Sequence, residues 1–298
     1  MPELPEVQTI VNDLNKKVVD QQIIDFWSDW KKNVRPSFLK FKKKVSGAKI
    51  LGVRRRGKHI VIDLGNKNSI IIHLKMSGHL LYKPTADSLQ LTARRNFGSA
   101  KISSKNDYFE ERVNQYVHHK FSLKSGATLE FSDMRKFGWL WVVATDEVEN
   151  IKEIKKLGID AMSENFSLKI LKDILKRKVK SIIGIVLLDQ GLIAGIGNIY
   201  RSEILFEAEV NPKRKILTLK EKEIEKIFKA INLILKKAVR MRGTSDVDYR
   251  DTEGKPGSFQ NVLRVYGRDG ERCLGCRGLV IREKLGQRSI FFCPKCQK

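Results

Sequence analysis

The sequence predicts an α+β chain: a mainly β N-terminal half, read as a sandwich carrying one long helix, then a helical C-terminal half ending in a short hairpin. Three observations predict it. Val7, Ile10, Val11, Leu14 and Val18 recur at helical spacing close behind Pro5, a residue suited to a first helical turn. β-Branched runs dominate from Lys49 to Thr145. Beyond Ser167 the apolar residues return to helical spacing.

In chain order, the first helix is followed by strands at Lys49–Arg56, His59–Leu64 and Ser69–Met76, with Gly65–Asn68 as the turn between the last two. Thr85–Gln115 is polar and irregular and reads as a long surface insertion. Strands resume at Ala127–Asp133 and Gly138–Thr145. Asp146–Ser167 mixes acidic and basic residues and reads as a linker. Helices are expected at Ser167–Arg177, Lys180–Leu188 and Asn198–Glu207. A long fourth helix starts at Thr218, where Thr218-Leu219-Lys220-Glu221 fits a capping box, and stops at Gly243. A glycine-rich loop runs from Gly243 to Phe259, and the cysteine-bearing tail reads as short strands.

The chain has 298 residues, 41% of them apolar, enough for two or three units with their own cores. No apolar run is long enough for a membrane span, and the N-terminus lacks the basic-then-apolar pattern of a secretory signal. A cytoplasmic, nucleoid-associated location is expected. Against 34 acidic residues stand 58 Lys and Arg, a formal charge of +24. That surplus points to a polyanionic partner, nucleic acid before an anionic membrane, since no amphipathic helix with exposed aromatics supports the latter.

All four cysteines lie near the end, as Cys273-x2-Cys276-x16-Cys293-x2-Cys296. Each pair closes a tight turn that can put two sulfurs on one ion. Four thiolates suit one structural Zn²⁺ and leave no open position for catalysis. Metal binding would hold together a segment too short to make its own core. Arg282, Lys284, Gln287 and Arg288 give the hairpin a basic tip suited to phosphate.

The first residues carry a second signal. Removal of Met1 leaves Pro2 with a free secondary amine, and an α-amino group titrates far below a lysine. A neutral amine can attack a sugar C1′ and form a Schiff base. Glu3 is expected to be free to act as acid or base, and Glu6 falls in the first helical turn, where the helix dipole favours a carboxylate. By itself this start is equally an ordinary helix opening.

The wider pattern decides between them. MPELPEV resembles the N-terminus of the formamidopyrimidine-DNA glycosylase family. The resemblance continues through Lys58 in RRRGKHIVIDL, His73 and Met76 in HLKMSGHL, and Arg135 and Phe137 in DMRKFGWLW. It extends through GIGNIYRSEILFEAEVNP with Asn198, the loop GKPGSFQNVLRVYGR, and the tail ending FFCPKCQK. The seven motifs are collinear and span nearly the whole chain.

The resemblance implies a β-sandwich, a helix–two-turn–helix domain and a four-cysteine zinc-finger hairpin, divided as 1–148, a linker 149–164, 165–258 with a lesion-capping loop, and 259–298. It implies a monomeric enzyme of base-excision repair acting on double-stranded DNA with oxidised purines (8-oxoguanine, formamidopyrimidines) or abasic sites. Pro2 is then the Schiff-base nucleophile, Glu3 the proton donor and Glu6 a supporting carboxylate. Lys58 is the proton donor for β-elimination and Arg288 for δ-elimination. No metal takes part in that chemistry. A flipped base leaves a hole. The resemblance implies that Met76, Arg135 and Phe137 fill it, and that Lys58, His73, Asn198 and Arg288 clamp phosphate. Backbone N–H groups at the helix start by Asn198 also suit phosphate, and Asn198 is equally a plain N-cap.

Two alternatives remain at this point. One is an oxidised-pyrimidine glycosylase resembling endonuclease VIII, which typically opens Pro-Glu-Gly-Pro after the Met. The other is a non-catalytic damaged-DNA-binding protein. Three departures from the family pattern stand out: Lys75 where Gly is usual, Met134 where Pro is usual, which is expected to loosen that turn, and the long insertion after Thr85.

Overall fold

The computed structural model describes residues 2–85, 108–246 and 248–298. The chain divides into two compact units. The first comprises Pro2, Glu6–Ile151 and Thr244–Gly257; the second comprises Glu3–Pro5, Lys152–Gly243 and Ser258–Lys298.

Helix α1 (Leu4–Lys17), which belongs to the first unit from Glu6 on, is followed there by β1 (Ile23–Ser28), β2 (Val34–Arg35), α2 (Phe38–Val45), β3 (Ile50–Arg56), β4 (His59–Leu64), β5 (Asn68–His73), β6 (His79–Lys83), β7 (Val117–Leu123), β8 (Thr128–Ser132) and β9 (Trp139–Ala144). The strands form a five-stranded sheet, β2-β9-β5-β4-β3, and a four-stranded sheet, β1-β7-β8-β6. Alternation sorts each strand's faces. Ile60 and Ile62 of β4 and Ile70 and Ile72 of β5 enter one core with Phe26, Phe121, Leu129 and Phe131 of the second sheet. Val7, Ile10, Val11 and Leu14 of α1 and Phe41 and Val45 of α2 complete that core. Burying each of these apolar side chains is worth about 1.5–3 kcal/mol. The sandwich with its helix is as expected.

Strands β1 and β7 and helix α2 fall where the sequence reading placed nothing. A register shift between Ile23 and Asp25 breaks the alternation of β1, and another between Val117 and His119 does so in β7. Helix α2 has only eight residues, four of them Lys, and its Ser37 N-cap accepts the Lys40 N–H. The expected insertion lies mostly outside the described residues. Its end is ordered around buried Asn114, which donates to the carbonyls of Tyr108 (2.5 Å) and Gly254 (3.2 Å) and meets His79 Nε2 at 2.8 Å.

The loop Thr244–Gly257 packs with the first unit. Tyr249 joins its core, the Thr252 hydroxyl donates to Asp13 (2.9 Å), and Lys17 pairs with Glu253 (3.1 Å).

The second unit holds α3 (Lys152–Lys155), β10 (Ile159–Asp160), α4 (Leu168–Lys176), α5 (Ile183–Val186), β11 (Ile193–Ala194), α6 (Asn198–Glu207), α7 (Glu221–Arg240), β12 (Ile281–Leu285) and β13 (Arg288–Phe292). The expected linker carries structure: Ile154 and Ala161 are buried, and β10 pairs in parallel with β11. Helix α4 starts at its Ser167 N-cap, whose hydroxyl accepts the Ile170 N–H at 3.3 Å. The expected helix at Lys180–Leu188 shrinks to one turn, because Ile182 is extended and bridges Lys215.

The capping box also moves. Thr218 Oγ1 donates to the Lys215 carbonyl (2.8 Å), so it cannot cap, and Glu223 instead accepts the Lys220 N–H at 2.7 Å. Arg214 holds Glu223 in place through two contacts. Among the described residues, no helix is long and apolar enough to cross a membrane.

Candidate nucleic-acid interface

The first unit gathers two of the expected groups. In the five-stranded sheet, His59, His73 and Trp139 are direct cross-strand partners on β4, β5 and β9. Their rings lie 4.6 Å (His59–His73) and 5.8 Å (His73–Trp139) apart. Lys58 occupies the β3–β4 turn and is buried to 9% exposure. Burial, with the charges of His59, Lys75 and Lys58, pushes the His73 pKa well below its usual value. His73 Nδ1 accepts the Lys75 N–H at 2.9 Å. The ring is therefore neutral near pH 7 with its proton on Nε2, a donor suited to a phosphate oxygen.

Lys75, the departure from glycine, adopts φ +55°. That left-handed conformation costs an L-residue about 1–2 kcal/mol, while glycine loses about 0.5–1 kcal/mol of chain entropy. Lys75→Gly is thus expected to stabilise the fold by up to about 1 kcal/mol. Thermal unfolding checks this, and a lowered melting temperature refutes it.

Met76, Arg135 and Phe137 come together at the tips of two turns. Arg135 Nη1 lies 3.4 Å from Met76 Sδ, and its guanidinium stacks 4.8 Å from the Phe137 ring centre. Met76 is 40% and Phe137 50% exposed, too open for core packing. Buried Asp133 pins both turns: it accepts from Ser77 Oγ (2.6 Å), Arg135 N (3.2 Å) and Gly138 N (2.7 Å). Asn33 adds donations to the carbonyls of Lys136 (2.9 Å) and Gly138 (2.5 Å). The turn that carries Met134 is held by these bonds without a proline. The sequence reading missed Asp133 and Asn33. An Asp opening a turn could have revealed the first; nothing local marks the second.

Pro2 belongs to the first unit, as does Glu6 in the first turn of α1. Glu6 is buried, and its Oε1 accepts the Thr244 N–H at 2.7 Å.

Glu3 belongs to the second unit and is 2% exposed. It is not free. Its Oε1 accepts the Ile199 N–H at 3.0 Å and its Oε2 the Tyr200 N–H at 3.4 Å, so the carboxylate sits on the N-terminus of α6. This corrects the expectation that these N–H groups serve a phosphate, since Glu3 has taken them. The motif Gly195–Gly197 is shaped around this entry. Gly195 has φ +107°, and a Cβ there would fall 2.3 Å from Leu4 Cδ1. A Cβ on Gly197 would fall 2.1 Å from Glu3 Cδ.

Asn198 is the first helical residue, with Gly197 at the N-cap. The plain N-cap role therefore falls. Its side-chain oxygen accepts from Arg201 Nη2 at 2.5 Å. Arg288 opens β13 and is exposed, opposite Leu285 at the tip of the β12–β13 hairpin. Lys284 and Gln287 are exposed beside it, while Arg282 is tied to Ser289 Oγ at 3.2 Å.

The four cysteine sulfurs lie within 4.8 Å of one another. Cys273–Cys296 and Cys276–Cys293 are 3.7 and 3.5 Å apart, far beyond a disulfide bond. A tetrahedron of sulfurs at 2.3 Å from a central ion has edges of about 3.8 Å, so the cluster can hold one metal ion. Around it lies a small core of Phe206, Val265, Val280 and Phe291.

Comparison with known proteins gives the family. "Formamidopyrimidine-DNA glycosylase N-terminal domain" matches residues 1–140, and "Formamidopyrimidine-DNA glycosylase H2TH domain" matches residues 157–249. The formamidopyrimidine-DNA glycosylase of Pelotomaculum thermopropionicum is 37% identical over 299 residues, covering 100% of this chain and 99% of that protein. The crystal structure of Lactococcus lactis Fpg with DNA containing an abasic site is similar at a TM-score of 0.82 and 31% identity, covering 99% of each chain. A variant of that enzyme with Fapy-dG DNA gives a TM-score of 0.83 and 32% identity over 100% of both chains.

Proposed function

The chain belongs to the formamidopyrimidine-DNA glycosylase family, and on that premise we propose how its own residues act. It is a DNA glycosylase of base-excision repair, removing oxidised purines, with an AP lyase activity. The substrate is DNA carrying damaged bases or abasic sites, taken by a monomer in the cytoplasm. Residues 1–148 act as the catalytic domain, 149–164 as a connection, 165–258 as the helix–two-turn–helix region with its capping loop, and 259–298 as a zinc finger.

The lesion is flipped out of the stack. Met76 and Phe137 enter the vacated space, and Arg135 hydrogen-bonds the orphaned partner base. Lys58, His73, Asn198 and Arg288 hold backbone phosphate, His73 as a neutral Nε2–H donor. The Pro2 nitrogen attacks C1′ as the N-glycosyl bond breaks and the base departs with its electron pair and a proton. Glu3, as acid, assists opening of the sugar. Loss of a C2′ proton then expels the 3′ phosphate, with Lys58 as proton donor. A second elimination expels the 5′ phosphate, with Arg288 as donor. Glu6 supports the first helical turn and holds Thr244 of the capping loop. Cys273, Cys276, Cys293 and Cys296 would hold one Zn²⁺, which four thiolates favour and which would organise the hairpin.

The observation that carries this reading is the assembled trio of Met76, Arg135 and Phe137, half-exposed on turns pinned by buried Asp133. Apolar side chains held outward in this way suit insertion into a base stack. A non-catalytic binder would not require Pro2, Glu3 and Lys58 as well.

Borohydride trapping on a duplex with 8-oxoguanine opposite cytosine tests it. A covalent adduct through Pro2 is expected. A chain retaining Met1 is expected to bind the same duplex and give no adduct. Absence of an adduct with the processed chain sinks the Schiff-base assignment. Faster excision of oxidised pyrimidines than of 8-oxoguanine favours the endonuclease VIII-like alternative.

A further inference from the structure

Among the described residues, Arg201 is the largest fully buried side chain, at 0% exposure. It lies one turn into α6, within the second unit. Its Nη2 donates to Asn198 Oδ1 (2.5 Å) and to the Ser289 carbonyl (3.0 Å), and its Nη1 donates to the Gly184 carbonyl (3.2 Å). Nε has no partner among the described residues. Burial lowers its pKa to about 10, so it stays charged at neutral pH.

Taking a cation out of water is costly, and its surroundings must offset that cost. The contacts that do so also have a geometric consequence. They join three segments. Asn198 opens α6. Ser289 follows Arg288 on β13 of the cysteine hairpin. Gly184 lies in the short helix α5.

Chemistry fixes what the guanidinium does to Asn198. Arginine offers donors only, so it selects the oxygen arm of the amide. The NH₂ arm is then the one presented away from Arg201, on a residue that is partly exposed. An unbraced asparagine could turn either arm outward, and an outward oxygen would repel a phosphate. Through the Ser289 carbonyl the same nitrogen ties the start of β13, where Arg288 stands, to the start of α6.

We propose that Arg201 is a positioning residue for DNA: it locks the Asn198 amide with its NH₂ arm outward and fixes the strand carrying Arg288 to the same point, so that both act on the backbone as one preformed clamp. Arg201 itself touches no DNA. The inference rests on the assignment of Asn198 and Arg288 as phosphate contacts.

The test is binding to a duplex carrying a tetrahydrofuran abasic-site analogue, which cannot be cleaved through a Schiff base. Wild type, Arg201→Met, Asn198→Ala and the double variant are compared, with thermal unfolding alongside. Arg201→Met is expected to weaken binding by about tenfold, the worth of one hydrogen bond to a charged group. In the Asn198→Ala background the same change is expected to cost clearly less than tenfold, because one of the two groups it positions is gone and only Arg288 remains to be misplaced. Full additivity in affinity, or wild-type affinity for Arg201→Met, overturns the proposal.

A structural role alone would alter unfolding equally in both backgrounds and produce no such coupling in affinity. If Arg201→Met fails to fold, Arg201→Lys decides. It keeps the charge but cannot span Asn198 and Ser289 with one fork, so affinity must still fall, and wild-type affinity refutes the idea. Asn198→Asp separates the two layers. It retains an acceptor for Arg201 but loses the NH₂ arm. Unchanged binding by Asn198→Asp and Asn198→Ala removes the phosphate assignment. Weak binding by both, with normal binding by the Arg201 variants, removes only the positioning role.

Discussion

Gly197→Ala is expected to lower base excision by about 10²–10⁴-fold, the loss associated with removing a positioned acid or base. The backbone is not the cause. Gly197 has φ −126° and ψ −161°, an extended conformation open to alanine. The cause is space: the new Cβ would lie 2.1 Å from Glu3 Cδ and 2.4 and 2.5 Å from its two oxygens. No pair of heavy atoms tolerates that, so the carboxylate must leave the Ile199 and Tyr200 N–H groups. Binding to the tetrahydrofuran duplex is expected to change far less, because Asn198 Oδ1 keeps its Arg201 partner. Single-turnover excision measures the effect. Gly197→Ala, Glu3→Gln and their combination should share one defect, since both changes disable the same group. Excision by Gly197→Ala within a few-fold of wild type would show that Glu3 can work from another position.

Removing the metal is the second large effect. Chelation at equilibrium, or Cys273→Ser, is expected to cost at least 100-fold in affinity for abasic-site DNA. The tail is too small to fold on burial alone: its core is Phe206, Val265, Val280 and Phe291 with Cys273 and Cys293. A structural zinc site contributes about 10–16 kcal/mol, more than such a core supplies. Without it the β12–β13 hairpin loses its anchor, and Arg288 with it. The rest of the second unit should survive, because α4, α6 and α7 share a separate core including Leu171, Tyr200, Ile231 and Leu235. Circular dichroism should therefore retain most helical signal while binding collapses. Elemental analysis should find one zinc per chain. Undiminished affinity in metal-free protein would remove the hairpin from the DNA-binding surface.

Both effects trace to features of unequal legibility. The cysteine spacing announces its site, because x2 turns bring sulfurs together regardless of what surrounds them. The 3.6-residue stripe of α1 and the alternation in β4 and β5 are similarly local. β1 and β7 escaped because register shifts break their period, and the start of α7 was misplaced because Arg214 and Lys215 had already engaged Thr218. The family resemblance supplied the residues of the wedge and clamp. It did not supply what holds them.

The N-terminal residues mark the division most sharply. Sequence alone determined the chemistry available: a proline able to bear a free amine, two carboxylates within four residues, four thiols at metal spacing and a charge of +24. These depend on covalent identity and on separations of a few residues. Tertiary structure alone decided their states. Glu3 rests on backbone N–H groups 196 residues onward, Glu6 on one 238 onward, and the wedge turns on Asn33, about a hundred residues before them. Hydrogen bonds of that kind join whichever donors and acceptors the packed core leaves adjacent and dry. That adjacency follows from burying the whole set of apolar faces at once, and no local pattern encodes it.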